Sequence, residues 1–359
     1  MKIAFYAPLK SPRHPVPSGD RLMARLLIRA MEIAGHDVEV ASDFRSFAPT
    51  PQQAIESGAK AGEELERLRL EWASGRKPDL WFCYHPYYKS PDLLGPALCA
   101  EFGVPHVTAE ASHSPKRDQG EWAPFQKQVV AQVTSARINI AFTKRDRIGL
   151  ERAVPGGRFS SIAPFIDTTL FETSGGNPRP SALIAVAMMR SGDKFQSYAM
   201  LADALRLIAD RPWSLTVVGD GPSRPEIEQL FSGLGADRVQ FRGELSAEAI
   251  AAELGNSGIY VWPGCGEAYG LAYLEAQASG LPIVAQNAAG VPEVVNPGVT
   301  GYLTPEGDVA AYAAAIAGLL SDPLQRSAMG LRARRFVLNE RSLPHAAQEL
   351  DRILQESAG

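Results

Sequence analysis

The chain has 359 residues, more than one ordinary domain holds, and its length therefore predicts two domains. Hydrophobic residues make up 45% of the sequence and charged residues 21%, which is typical of a soluble globular protein and argues against a disordered or fibrous chain. The formal net charge of -4 argues against a nucleic-acid partner, although the N-terminal half carries a small excess of basic residues.

The cysteines and the N-terminus indicate the compartment. Cys83, Cys99 and Cys265 are scattered and form no Cys-x-x-Cys pair, which argues against a disulfide framework or a structural zinc site and fits a reducing environment. The opening MKIAFYAP predicts a buried strand rather than a signal peptide, and no run of about 18 apolar residues occurs. We therefore expect a cytoplasmic protein, and leave open a peripheral contact with the inner face of a membrane.

Short apolar strands alternate with amphipathic helices along the first 165 residues. The predicted strands are KIAFYAP, DVEVAS, DLWFCY, HVTAEA, INIAFT and SSIAPF. The first helix places Leu22, Leu26, Leu27, Ala30 and Ile33 on one face, and Gly35 follows as its C-terminal cap. This alternation predicts a parallel sheet covered by helices on both faces.

A second series of strands follows a change in composition. Residues 166–180 lose periodicity and collect Pro, Gly and Ser, which predicts a linker. The next strands are ALIAVAMM, SLTVVGDG, RVQF, GIYVWPG and PIVAQ, and three helices close the chain. We predict an N-terminal domain over 1–165, a C-terminal domain over 181–339 and a final helix over 340–359 that is a candidate to pack back on the first domain. Both domains would be Rossmann-like, doubly wound α/β sheets facing a cleft, with ligands at the carboxyl ends of their strands.

The loop after GIYVWPG carries the strongest chemical signal. A helix is expected to begin near Gly270, so the N–H groups of Leu271 and Ala272 would lack intrahelical acceptors and, with the helix dipole, could bind a phosphate or diphosphate. Glu275, farther along the helix, could accept two hydrogen bonds from a vicinal diol such as a ribose, and Glu267 would reach the other end of the same ligand.

An ordinary acidic helix start is the alternative interpretation of this segment, because the helix dipole favours carboxylates there. Small residues favour the ligand hypothesis, since they let backbone approach a bound molecule closely. They are Gly266, Ala268, Gly270 and Ala272.

Several motifs together make the C-terminal half resemble the family-4 retaining glycosyltransferases of the GT-B fold. They are the Glu-x7-Glu element at 267–275, the Gly-x-Pro-Glu run at 290–293, GVTGYL at 298–303, and VVGDGP at 217–222 followed by VQFRGELS. They cover about half of the chain. The resemblance implies that Glu275 holds the ribose of a nucleotide and Glu267 the hydroxyls of a donor sugar, so that the ligand is a nucleotide-diphosphate sugar.

Two basic residues that could bind the diphosphate follow the first strand of the second domain. In MMRSGDK, Arg190 and Lys194 would stand at the carboxyl edge of the sheet, where they could neutralise a departing diphosphate. The family spaces its Arg and Lys five positions apart here, whereas this chain spaces them four apart. A solvated loop is the alternative.

The VVGDGP stretch lacks the later glycines of a dinucleotide-binding motif. The resemblance implies that this stretch is a turn whose backbone, including that of Gly219, lines the donor cleft. Arg242 and Gly243 lie where members of the family bind the nucleobase. Those members contact the base largely through main-chain atoms.

The N-terminal domain resembles the family less closely. In the PSGD loop, residues 17–20, Gly19 could let backbone approach the donor or acceptor, although helix capping by Ser18 or Asp20 explains the loop equally simply. The family places a histidine after a middle strand, where this chain has VTAEASHSPKR, and either Glu110 or His113 is a candidate for its role. An exposed loop is the alternative.

We expect no metal ion and no cofactor. The chain contains no Asp-x-Asp pair to hold a metal at a diphosphate. The other histidines show no metal-ligand spacing and receive no role; they are His14, His36, His85, His106 and His345.

The sequence thus predicts a retaining glycosyltransferase that moves a hexose-type sugar from a nucleotide-diphosphate sugar to a glycan or lipid-linked acceptor by same-face attack. The acceptor would bind the first domain and the donor the second. Two alternatives stay open: a nucleotide-sugar epimerase or hydrolase on the same fold, and a catalytically silent nucleotide-sugar-binding protein.

Overall fold

A computed structural model describes residues 1–16, 18–173, 178–235 and 237–358. The chain divides into two compact units: unit 1 comprises Met1–Ala163 and Leu343–Gly359, and unit 2 comprises Pro164–Ser342. The predicted linker at 166–180 contains a short helix at its start, and its residues 174–177 lie outside the described part, as do Pro17 of the PSGD loop and Gly359 of the final helix.

Unit 1 is built on six parallel strands in the order β2-β1-β3-β4-β5-β6. The strands are β1 (Lys2–Tyr6), β2 (Asp37–Ser42), β3 (Leu80–Tyr84), β4 (His106–Ala109), β5 (Ile138–Ala141) and β6 (Phe159–Ser161). The helices are α1 (Gly19–Ile33), α2 (Pro51–Glu71), α3 (Gly95–Phe102), α4 (Ala123–Ser135), α5 (Lys144–Ala153) and, from the end of the chain, α13 (Leu343–Ala358). Helix α13 packs against α1.

Unit 2 also contains a sheet of six parallel strands, in the order β12-β11-β10-β7-β8-β9. The strands are β7 (Ala182–Val186), β8 (Ser214–Val218), β9 (Val239–Gly243), β10 (Ile259–Val261), β11 (Ile283–Gln286) and β12 (Gly301–Thr304). The helices are α6 (Thr169–Thr173), α7 (Asp193–Leu207), α8 (Arg224–Phe231), α9 (Ala247–Gly255), α10 (Leu271–Ala278), α11 (Val309–Ser321) and α12 (Pro323–Glu340).

The predicted α/β architecture of two doubly wound parallel sheets is confirmed. Every residue of β3 and of β11 is buried, as expected for strands of a parallel sheet that is covered on both faces. All eleven predicted strands are present, and β12 is an additional strand that begins within the GVTGYL motif. No helix in the described ranges is both long enough and apolar enough to cross a bilayer.

The predicted buried face of α1 is partly wrong. Leu22 and Ile33 are 40% and 51% exposed, whereas Met23 and Met31 are fully buried beside Leu27. The buried stripe includes residues 23, 27, 30 and 31, which lie on one face of a helix, and it packs toward β2 and α13. Gly35 follows the helix with φ 84°, as its predicted capping role requires.

Candidate functional site

The strand order of unit 2 reverses between β7 and β10. From β7 the chain proceeds outward to β8 and β9, and from β10 it proceeds in the opposite direction to β11 and β12. In doubly wound sheets, the carboxyl ends of the two strands at such a reversal flank the ligand crevice. The loop after β7 carries Arg190 and leads into Lys194, and the loop after β10 carries Glu267 and Gly270.

Lys194 and Glu267 form an ion pair at this edge. The Nζ atom of Lys194, in the first turn of α7, lies 2.5 Å from Oε2 of Glu267, and both side chains are largely shielded from solvent. The ammonium also lies 5.6 Å from the centre of the Trp262 ring, a cation–π distance. Two of the predicted ligand-binding side chains therefore neutralise each other in the unliganded chain.

Glycines hold the Glu267 loop against the start of α7. Gly266 has φ 61°, and a Cβ atom there would lie 2.1 Å from Oδ2 of Asp193. The N–H of Cys265 donates to Oγ of Ser197, 2.9 Å away. A larger residue at position 266 would strain the backbone and displace the Asp193 side chain, so this glycine lets the loop lie against the start of α7.

The Gly-x-Pro-Glu motif supports the same loop from a second side. A Cβ atom on Gly290 would lie 1.4 Å from the carbonyl oxygen of Ala268, a distance that backbone atoms cannot tolerate. The N–H of Gly290 donates to the carbonyl of Glu267 at 3.1 Å. Gly290 is therefore a packing requirement of the Glu267 loop, which the sequence motif alone did not reveal.

Helix α10 begins at Leu271, directly after Gly270, as predicted. Gly270 has φ 77° and no side chain to cap the helix, so the first N–H groups, those of Leu271 and Ala272, have no partner within the helix or from a capping side chain. Two such N–H groups at the start of a helix are consistent with the predicted phosphate site.

Glu275 lies in the next turn of α10. Burial raises the pKa of its carboxyl group to about 7. Within the described ranges no side chain or N–H group forms a hydrogen bond or ion pair with this carboxylate. A partly buried carboxylate with free acceptor capacity is what the predicted ribose contact requires.

The other predicted residues of unit 2 lie near the carboxyl ends of β7, β8 and β9. Arg190 is exposed, and its guanidinium has no partner within the described part of the chain. A Cβ atom on Gly219 would lie 2.0 Å from the carbonyl oxygen of Ala187, so this glycine lets β8 approach the loop that carries Arg190. The N–H of Gly219 also donates to the carbonyl of Gly243 at 2.8 Å. Arg242 is paired with Glu253 in α9 at 2.8 Å.

Unit 1 contains a corresponding reversal between β1 and β3, and a charged cluster stands there. His85 directly follows β3, and its Nδ1 atom lies 2.9 Å from Oδ1 of Asp20 in the first turn of α1. Glu110 directly follows β4 and is buried. Both His85 and Glu110 have left-handed backbone, with φ 59° and 56°, a conformation rare for residues other than glycine and often found at functional sites.

The charges of this cluster are coupled. Burial lowers the pKa of His85, but the charge of Glu110 and the hydrogen bond and charge of Asp20 outweigh it and raise this pKa to about 9. Burial raises the pKa of Glu110, against the opposing charge of His85. The pKa of Asp20 is lowered, because burial, which would raise it, is outweighed by the hydrogen bond from His85. An imidazolium at neutral pH thus stands between two acidic groups.

The structure separates the two residues considered for the family histidine. His113 binds Asp118 through Nε2 at 2.9 Å, whereas Glu110 interacts with His85. His85 received no role from the sequence. The sequence offered one signal for it: His85 directly follows β3, the strand next to β4, which Glu110 directly follows. Gly19 is the first residue of α1, and Ser18 caps that helix by accepting from the N–H of Arg21 at 3.2 Å.

A metal-ligand cluster was also considered. In the part of the chain that the structure describes, no three His, Cys, Asp or Glu side chains converge as metal ligands. The absence of a metal requirement stays a prediction.

Part of the chain is similar in sequence to known glycosyltransferases. Residues 180–322 match the family model described as "Glycosyl transferases group 1". A GDP-mannose-dependent alpha-(1-6)-phosphatidylinositol monomannoside mannosyltransferase from Mycolicibacterium smegmatis is 30% identical over 220 residues, 58% of this chain and 56% of the relative. A D-inositol 3-phosphate glycosyltransferase from Streptomyces avermitilis is 37% identical over 74% of this chain and 63% of the relative. The chain thus spans less than two thirds of the length of these relatives.

Solved structures share the fold. Sucrose-phosphate synthase from Thermosynechococcus elongatus superposes with a TM-score of 0.78 at 21% identity, over 99% of this chain and 98% of the other. Anabaena HepE in complex with UDP superposes with a TM-score of 0.70 at 18% identity, over 99% and 100%. The chain therefore has the two-domain α/β GT-B fold, and its residues 180–322 match the model of the group 1 glycosyl transferases.

Proposed function

We propose that this chain is a retaining glycosyltransferase that moves a sugar from a nucleotide-diphosphate sugar to a glycan or lipid-linked acceptor. The observation that carries the proposal is the convergence of Lys194, Glu267 and the α10 N-terminus at the strand reversal of unit 2. A mannosyltransferase relative is named for GDP-mannose, and a structure with the same fold holds UDP. A nucleotide ligand at this edge is consistent with both.

Each residue has a distinct proposed role. Glu275 accepts hydrogen bonds from the ribose hydroxyls, and Gly219, Arg242 and Gly243 form the surroundings of the nucleobase. Lys194, Arg190 and the N–H groups of Leu271 and Ala272 stabilise the diphosphate, and Glu267 accepts hydrogen bonds from the sugar. The contacts to the diphosphate would stabilise negative charge as it develops on the leaving group, a contribution that typically reaches several kcal/mol.

The chemical step follows from this arrangement. The bond between the anomeric carbon and the diphosphate oxygen breaks, and its electron pair remains on the diphosphate. The acceptor hydroxyl attacks the same face of the sugar, and its proton passes to a diphosphate oxygen. No side chain of this chain is assigned the role of a covalent nucleophile. A cytoplasmic location and a peripheral membrane contact are part of this proposal, supported only by the composition.

The test is release of nucleoside diphosphate from UDP-, GDP-, ADP- and dTDP-sugars, with and without candidate acceptors. The proposal predicts acceptor-dependent release with one nucleotide series and a product whose anomeric configuration, measured by NMR, matches that of the donor. Release that needs no acceptor would instead indicate a hydrolase, and a changed sugar still attached to its nucleotide would indicate an epimerase. Binding of a nucleotide sugar without turnover of any donor would indicate the silent binding protein.

A further inference from the structure

A buried tryptophan lies beside the ion pair of unit 2. Trp262 directly follows β10 and is 2% exposed. The ammonium of Lys194 lies 5.6 Å from the centre of its ring. The ring of Tyr198 contacts the same indole in a T-shaped arrangement, with ring centres 4.8 Å apart. Lys194 and Tyr198 are four residues apart on α7 and therefore lie on one face of that helix, and Trp262 packs against this face.

Hydrogen bonds fix the surroundings of the indole. The carbonyl of Trp262 accepts from the hydroxyl of Tyr273 in α10 at 2.9 Å, and its N–H donates to the carbonyl of Val284 in β11 at 3.2 Å. The hydroxyl of Tyr198 donates to the carbonyl of Ala187, directly after β7, at 2.7 Å. Trp262 is thus anchored to α10 and β11 through its backbone, and its ring contacts α7.

Lys194 therefore has two partners that differ in how firmly they are held. Glu267 lies on a loop, and under the proposed function it leaves Lys194 to accept hydrogen bonds from the donor sugar. Trp262 stays in place, because its ring is buried and its backbone is anchored on two sides. The face of an indole ring attracts an ammonium group through its quadrupole. The ring contact is thus able to outlast the ion pair.

We propose that Trp262 is a positioning residue for Lys194, and that its ring keeps the ammonium at the strand reversal when the pair with Glu267 is broken. The diphosphate as the group that then binds the ammonium rests on the proposed function, whereas the hold of Trp262 on Lys194 rests on the contacts alone. The effect on binding is one of population. If the ammonium leaves the site in most molecules, the apparent affinity for an anion falls in proportion to the fraction that keeps it there.

Calorimetry with inorganic pyrophosphate tests the proposal on the full chain, because this probe carries a diphosphate without nucleobase or sugar. In a Glu267→Gln chain the indole alone holds the ammonium, so adding Trp262→Leu should weaken pyrophosphate about threefold to tenfold. With Glu267 present, the same substitution should weaken it less than about twofold, since the ion pair still places Lys194. In a Lys194→Met chain it should have no effect. Equal losses in all three chains would show a structural role and overturn the proposal.

Trp213 provides a matched control in the same unit. It is 5% exposed, it directly precedes β8, and the guanidinium of Arg238 lies 3.7 Å from the centre of its ring. Trp213→Leu therefore removes a buried indole and a cation–π contact at the amino end of the sheet. In the Glu267→Gln chain it should change pyrophosphate affinity less than about twofold. Trp262→Phe, which keeps an aromatic face, should recover most of the affinity that Trp262→Leu loses. Equal losses in the two leucine variants, or no recovery by phenylalanine, overturn the proposal.

NMR of a chain labelled with ¹³C-lysine tests the hold of Trp262 without any ligand. The ε-methylene signal that is missing in Lys194→Met identifies Lys194, and the ring current of the indole should shift it upfield of the signal of a solvent-exposed lysine. This shift should persist in Glu267→Gln and vanish in Trp262→Leu. Its loss in Glu267→Gln, where Trp262 is intact, would overturn the proposal even if the leucine variant does not fold.

The two readouts separate this inference from the proposed function. If the native chain binds neither pyrophosphate nor any nucleoside diphosphate, the proposed function fails. The NMR signal of Lys194 in the native and Glu267→Gln chains then still decides whether Trp262 holds the ammonium. If nucleotides bind but the Trp262→Leu loss is the same with and without Glu267, the donor site stands and the positioning role of Trp262 fails.

Discussion

The ammonium of Lys194 stands 2.5 Å from the carboxylate of Glu267, and the loop that carries Glu267 is held there by glycines at 266 and 290. In the proposed complex these two side chains contact different parts of the donor: Lys194 the diphosphate and Glu267 the sugar. The diphosphate and Glu267 therefore compete for the ammonium group of Lys194.

Replacing Glu267 with Gln should tighten the binding of a nucleoside diphosphate and lower turnover at the same time. Without the carboxylate, Lys194 is free for the phosphates, so the Kd for the diphosphate should fall about threefold to tenfold. Turnover should fall about 10²-fold because a sugar contact is lost. Calorimetry and steady-state kinetics check the two effects. Lys194→Met should weaken the same diphosphate, and tighter binding in that variant would contradict the assignment.

Glu275 should make stability depend on pH. Its folded pKa of about 7 exceeds the ordinary value of 4.5, so the folded state holds this proton more tightly than the unfolded state. Stability is therefore lost as pH rises from about 4.5 to about 7, by on the order of 1–3 kcal/mol for unit 2.

The matched variants for this effect are Glu275→Gln and Glu306→Gln, the latter removing an exposed carboxylate of the same unit. Glu275→Gln should melt at a higher temperature than the native chain at pH 8 and close to it at pH 4.5. Equal shifts in both variants at pH 8 would show that Glu275 is not the responsible group.

The His85 cluster should make the stability of unit 1 depend on pH in the same direction as Glu275 does for unit 2, but at higher pH. Because the folded pKa of His85 is raised to about 9 from 6.5, its contribution is fully present below pH 6.5 and is lost as pH rises through 9. Asp20→Asn should lower the His85 pKa and reduce that loss by about 1–2 kcal/mol after allowance for solvent screening. NMR titration of the His85 ring measures the pKa directly, and an unchanged value in Asp20→Asn would contradict the coupling.

Gly290→Ala should damage both folding and activity. The added Cβ would overlap the carbonyl of Ala268, so the Glu267 loop must move, at a cost of several kcal/mol. Gly318→Ala, in the last turn of α11 with no atom within 4 Å of the added Cβ, should instead stabilise by about 0.5 kcal/mol. Chemical unfolding of both variants decides between a packing requirement at 290 and a general intolerance of alanine.

The fold and the Glu267 loop could be predicted because their signals are local. Buried strands have continuous apolar runs, and Gly270 marks the start of α10 by itself. The role of His85 could not be predicted, because it depends on Asp20 after β1 and Glu110 after β4 meeting at one sheet edge. The exposure of Leu22 and Ile33 could not be predicted for a similar reason. Which face of α1 is buried depends on the position of α13 beside it, and the helical period of α1 does not contain that information.

Calorimetric titration of the native chain with UDP, GDP, ADP and dTDP, repeated on Glu275→Gln, tests the central claim most directly. The account predicts that one nucleotide binds the native chain, that Glu275→Gln weakens it at least about tenfold, and that Glu306→Gln leaves it unchanged. Failure of all four to bind, or undiminished binding in Glu275→Gln, would contradict a nucleotide site at the strand reversal of unit 2.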